Sequence, residues 1–123
     1  MTLFLAIVTS AVALGWIVLR SRDALRRFAR HDRLPMQWGL DGRPTWRAPR
    51  AIAVFFTPVL AAVSLAIPLA LFAAIPAGSA RADESEAALL TVALGMALAY
   101  AAAHEGHLWA IRRWDRAQAT RRP

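Results

Sequence analysis

The sequence contains no cysteine and no lysine, and only one tyrosine. Without cysteine, neither a disulfide framework nor a thiolate metal site can form. All fifteen basic residues are arginine, which in so alanine-rich a chain points to a GC-rich bacterial coding sequence. Acidic residues are few, eight in all, and the net charge is +7. Motifs of common chemistry are missing too: there is no phosphate-binding glycine loop, nucleophile elbow or paired-carboxylate arrangement. Nothing therefore suggests an enzyme, and no cofactor is expected. A soluble chain this basic would suggest nucleic acid as a partner. Here the arginines sit at the ends of apolar runs, where the positive-inside rule puts them, so no nucleic acid is expected. Juxtamembrane arginines attract anionic lipid headgroups instead, at about 1 kcal/mol each near the surface.

What the chain has is apolar length. Its 123 residues make one domain at most, 58% of them hydrophobic. Mean hydropathy is +0.39. A helix needs about 20 apolar residues to cross about 30 Å of hydrocarbon. The eighteen residues Thr2–Leu19 carry no charge and end near Trp16, an interface anchor. A cleaved signal peptide competes for this stretch, since Ala11-Val12-Ala13 resembles a cleavage site. No basic residue precedes it, however, and the apolar run continues beyond, which favours an uncleaved span. A second uncharged run covers the thirty residues Ala51–Ala80. Pro58, Pro68 and Pro76 interrupt it and predict a kinked or tilted span, closed by a turn at Pro76-Ala77-Gly78-Ser79. The third begins after Asp83-Glu84-Ser85-Glu86, acids suited to a helix N-terminus, and stays uncharged from Ala87 to Ala103. Tyr100, Trp109 and Trp114 then border it, and Arg112 and Arg113 close it.

The expectation is an all-α integral membrane domain with three transmembrane helices, at about 2–20, 51–77 and 87–111. A structured loop, 21–50, and a basic tail, 112–123, complete it. Residues 20–50 carry nine arginines against Asp23, Asp32 and Asp41, and the tail carries five against Asp115. The loop at 77–86 has Arg81 against three acids. The N-terminus is thus expected outside the bacterial inner membrane, with the first loop and the C-terminus in the cytoplasm.

Within the first loop, Ser21–His31 reads as helix, with Leu25, Phe28 and Ala29 on one face and arginines on the rest. It either extends the first span or lies flat on the membrane surface. The segment Leu34–Arg50, LPMQWGLDGRPTWRAPR, is of another kind. Pro35 and Pro44 favour extended neighbours, and Asp41-Gly42 is a turn signal with Trp38 and Trp46 on either side. A compact loop or short hairpin would hold both rings at the membrane interface or over the bundle.

This segment resembles the loop motif of the bacterial sporulation-delaying-protein immunity family of membrane proteins. Leu34-Pro35 matches its first pair, Trp38 its aromatic, Gly42-Arg43-Pro44 its central triplet and Arg50 its terminal base. Gln37 stands where that family often has histidine. An upstream Leu-Pro pair would fall on Arg30-His31 and is missing, and Trp46 comes one residue early. The resemblance covers the motif and its flanking helices only. It implies protection against a peptide toxin and membrane sequestration of a repressor.

His104 and His107 share a helix face and could hold a metal, with His31 and Asp32 on the same membrane side. They do not form the His-Glu-x-x-His pattern, and the ligand set is incomplete, so structural histidines are the better reading. Glu105 falls near the interface, where it can pair with Arg112 or Arg113 or reach water. Small residues recur every four positions at Thr91, Gly95, Ala99 and Ala103 and at Ala62, Ala66, Ala70 and Ala74. Such rows permit close helix approach, either to each other or to a partner's helix.

Two readings of function follow. In one, the chain is a non-enzymatic accessory or interaction subunit. It docks other membrane proteins, or its own copies, through Leu34, Pro35, Gln37, Trp38, Gly42, Pro44, Trp46 and Arg50 and the small-residue faces. In the other, it is a stand-alone immunity or regulatory protein that binds a peptide toxin or a cytoplasmic regulator.

Overall fold

A computed structural model describes residues 1–76 and 78–120, and for residues 80–84 the backbone alone. The elements run α1 (Thr2–Arg27), β1 (Arg33–Trp38), β2 (Pro44–Pro49), α2 (Arg50–Ala73) and α3 (Ala80–Ala119). Three helices are long and apolar enough to cross a membrane, the third of them over Ser85–Ala119. The protein is a three-helix membrane bundle, mostly helical, with one small two-stranded sheet.

The arginine-rich stretch after Leu19 does not lie flat. It continues α1 as one helix to Arg27, because Leu25 and Phe28 extend the buried stripe of the span. Residues 112–119, expected as part of a basic tail, likewise continue α3. Arg121 and Arg122, the rest of that tail, lie outside the described residues. At its far end α2 stops at Ala73, with the Ala74 N–H donating to the Ala70 carbonyl. The expected turn follows, with Gly78 at φ 74° and the Ser79 N–H donating to the Pro76 carbonyl; Ala77 lies outside the described residues.

Cross-helix contacts fix the arrangement. Thr2 meets Glu86, Arg20 meets Glu105, Ser21 meets His104 and Arg30 meets Asp115. The partners' numbers differ by a nearly constant amount, so α1 and α3 run parallel in fixed register. The α2 helix returns against both: Leu69 and Phe72 lie against Ala6 and Leu89, while Ala53 and Val54 lie against Ala24 and Leu108.

The seam follows threes and fours, as a helical stripe must. On α1 it is Ala6, Ser10, Ile17, Ser21 and Ala24; on α2 it is Val54, Pro58, Ala61 and Leu65. On α3 it is Leu89, Ala93, Ala97, His104, Leu108 and Ile111. The two rows of small residues expected to form a helix contact do not face each other. Thr91, Gly95, Ala99 and Ala103 are exposed on the outer face of α3; Ala62, Ala66 and Ala70 are exposed on α2, as is Ala74 at its C-cap. Alanine lies all round these helices, so its four-residue spacing cannot fix which phase turns inward; the buried polar residues do.

Candidate functional site

The hairpin is built at the end of the bundle where α1 ends and α2 begins. β1 and β2 pair antiparallel, with Leu34 opposite Ala48 and Gln37 opposite Trp46, and the register slips on either side of Gln37. The turn closes with the Gly39 N–H on the Arg43 carbonyl (2.8 Å) and the Gly42 N–H on the Gly39 carbonyl (2.9 Å). Asp41 accepts from the Arg43 N–H at 3.1 Å, the side-chain turn that aspartate favours. Gly42 has φ 73°, a left-handed conformation that costs glycine nothing.

The eight residues expected to bind a partner divide. Leu34 and Pro35 are buried: Leu34 joins Phe28, Ala48, Val54, Leu108 and Ile111 in the core that seats the hairpin. They hold the platform and cannot touch a partner. Trp38 is half-buried with its indole nitrogen enclosed, so the two tryptophans do not share a surface. Gln37, Gly42 and Trp46 are exposed, and Pro44 partly so. Leu40 was not among those expected, yet it stands at the tip of the turn entirely in the open. An apolar side chain inside an otherwise polar turn was the signal for it.

Arg50 also has a different task. Its guanidinium donates to the carbonyls of Phe28, Ala29 and His31 at the C-terminal end of α1, where the Phe28 carbonyl also accepts from the His31 N–H. Its own backbone N–H donates to the Asp32 carbonyl. A cation there also suits the negative end of the helix dipole. One residue thus starts α2 and caps α1, locking both strands of the hairpin at their base.

Below the hairpin lies a polar layer between the helices. In a helix the residue-54 carbonyl accepts from the residue-58 N–H, but residue 58 is proline and has none. The Ser21 hydroxyl fills the gap, donating to the Val54 carbonyl at 2.6 Å. Because that proton is committed, the contact between Ser21 Oγ and His104 Nε2 (3.1 Å) needs the histidine as donor. It is therefore the His104 Nε2–H that faces the serine oxygen. His107 Nε2 donates to the neighbouring Ala53 carbonyl at 3.3 Å. His107 thus holds the α2 backbone directly, and His104 holds it through the Ser21 hydroxyl. In this arrangement His104 cannot take the serine's proton, and the pair works as a clamp. Higher in α2, Tyr100 donates to the Ser64 hydroxyl at 2.8 Å. Ser64 is the residue whose carbonyl loses its donor to Pro68.

Among the described residues no group of three histidine, cysteine or acidic side chains could hold a metal. His31 lies away from His104 and His107, on Asp115 (2.6 Å) and beside Trp114, with ring centroids 4.8 Å apart. Glu105 does not pair with Arg112 or Arg113. It takes a two-pronged contact from Arg20 of α1, at 2.6 and 3.0 Å. The bidentate fork suits arginine and carboxylate and ties α1 to α3.

The class these features define is a three-span membrane bundle carrying a seated surface hairpin. In comparisons with known families, curated proteins and solved structures, nothing matches this chain.

Proposed function

We propose that the protein is a small, non-enzymatic interaction subunit of the bacterial inner membrane that docks a larger membrane protein through its hairpin. The observation that carries this reading is the contrast within the hairpin. Its base is fixed by Leu34, Ala48 and the Arg50 cap, while Leu40 and Trp46 are turned outward. Ordering these groups in advance lowers the entropic cost of binding. Exposed apolar side chains on a rigid support also fit an interface anchor. The outer rows at Gly95, Ala99 and Ala103 and at Ala62, Ala66 and Ala70 give a partner's helices a smooth surface within the bilayer. In this reading the N-terminus is outside and the hairpin cytoplasmic, in keeping with the arginines.

The test is extraction of the tagged protein from its own membranes in mild detergent, followed by native mass spectrometry. Stoichiometric co-purification with a larger membrane protein, lost in Trp46→Ala or Leu40→Asp, is the expected result. A free monomer or homo-oligomer would overturn it. That outcome would turn attention to the immunity-like reading, favoured by the assembly of the motif residues Leu34, Pro35, Trp38, Gly42 and Pro44 into one hairpin. Challenge with peptide toxins would be the measurement there.

A further inference from the structure

The arginines of the hairpin end form a layered belt, and the fixed register of α1 and α3 gives its depth. Ser21 and His104 lie at one level, just where the uncharged stretch of each helix ends. The same register puts Arg26 and Arg27 level with Trp109 and Ala110, about 8 Å further along at 1.5 Å per residue. Two half-exposed tryptophans mark the belt's depth. Trp16 lies below it with Arg20 over its ring (5.9 Å), and Trp109 lies within it with Arg113 over its ring (5.7 Å). Trp16 and Trp109 are separated in depth by about 15 Å of helix rise. Tryptophans favour the headgroup layer, so the belt lies at the depth of lipid phosphates.

Of the five acids at this end three are occupied, while Asp23 and Asp32 are exposed and make no ion pair among the described residues. Glu105 is held by Arg20, Asp115 by Arg30 and His31, and Asp41 lies 3.8 Å from Arg43. Arg22, Arg26, Arg27 and Arg116 are exposed and make no ion pair or hydrogen bond among the described residues. The opposite end has Asp83, Glu84 and Glu86 against Arg81. The two ends of the bundle thus carry opposite charge. An outward-facing groove of about 550 Å³, lined by Ile52, Phe55, Phe56, Val59, Leu60 and Val63, lies on the half of α2 next to the hairpin.

We infer that this belt is a binding surface for anionic phospholipids of one leaflet. The guanidinium groups of Arg22, Arg26, Arg27, Arg113 and Arg116 take the headgroup phosphates. The groove along α2 gives acyl chains a track. Guanidinium groups suit phosphate oxygens, which they can grip with two parallel N–H donors. The surplus of unpaired arginine over unpaired acid selects a net negative headgroup over a zwitterionic one. This rests on the membrane-spanning reading of the helices and is independent of what docks on the hairpin.

The full chain is reconstituted in nanodiscs of phosphatidylcholine with a minor fraction of phosphatidylglycerol. Lipids retained after ejection are counted by native mass spectrometry. Phosphatidylglycerol should be retained well above its share of the bilayer. Its apparent affinity should fall roughly fivefold for each arginine removed in Arg22→Gln, Arg26→Gln and Arg27→Gln. Retention in proportion to bulk composition would overturn the inference, and so would enrichment unchanged in the triple variant. Should the triple variant lose helicity, Arg113→Gln with Arg116→Gln on α3 makes the same test. The spanning reading is checked separately by alkaline carbonate extraction of native membranes. Release of the protein there would sink both.

Discussion

Ser21 shows how much one side chain can decide in this bundle. Pro58 leaves the Val54 carbonyl without a helical donor, and the serine hydroxyl supplies one while receiving the His104 proton. Ser21→Ala should therefore orphan two buried groups and cost about 0.5–2 kcal/mol, the range for buried and membrane hydrogen bonds. In a Pro58→Ala background the residue-58 N–H can serve the carbonyl, so the same serine change should cost clearly less. Thermal unfolding of the four proteins of this cycle in one detergent measures the difference, and equal costs would refute the account. Arg50 makes a second residue-scale case. Arg50→Ala should lower the thermal midpoint, because it uncaps α1, and not only weaken partner capture. A loss of about 1–2 kcal/mol is expected for a charge-assisted cap. An unchanged midpoint would return Arg50 to the docking surface. Neither role was visible in the sequence, since each joins residues far apart in the chain. The signal available was polarity: serines and histidines within apolar helices turn toward the bundle interior.

At the scale of elements, the three helices were legible because charge-free runs of about 20 residues have few other uses. The hairpin was half legible. Asp41-Gly42 marked its turn, but the slipped register around Gln37 has no mark in composition. Gly42→Ala should cost about 1 kcal/mol because its φ is positive, whereas asparagine there should be better tolerated. Amide hydrogen exchange of β1 and β2 would read the effect, and equal protection in both variants would exclude it. A Cβ at Gly39 would come within 2.7 Å of an Asp41 carboxylate oxygen, and that exposed side chain would have to swing off the Arg43 N–H.

For the whole molecule, the phase of the helix stripes separates folding from assembly. A Cβ at Gly95 has nothing within 4 Å, whereas Ala97 is buried in the seam. Gly95→Leu should leave the midpoint of the isolated chain nearly unchanged and still reduce association with a partner. Ala97→Leu should destabilise the chain itself by about 1–3 kcal/mol, the usual cost of overpacking. Thermal midpoints set beside native mass spectra distinguish the two, and intact association in Gly95→Leu would free that face of α3 from any docking role. The sequence showed the small residues but not their orientation.

The clamp at Pro58 also bears on the order in which the chain is made. Its donor lies on α1 and its acceptor on α2, and both leave the ribosome before α3 is complete. A nascent two-helix hairpin can therefore close its own backbone gap inside the bilayer, with the serine proton already spent. When α3 arrives, His104 has only to offer a proton to the occupied hydroxyl. The last helix thus joins a pair whose most exposed fault has been repaired without it.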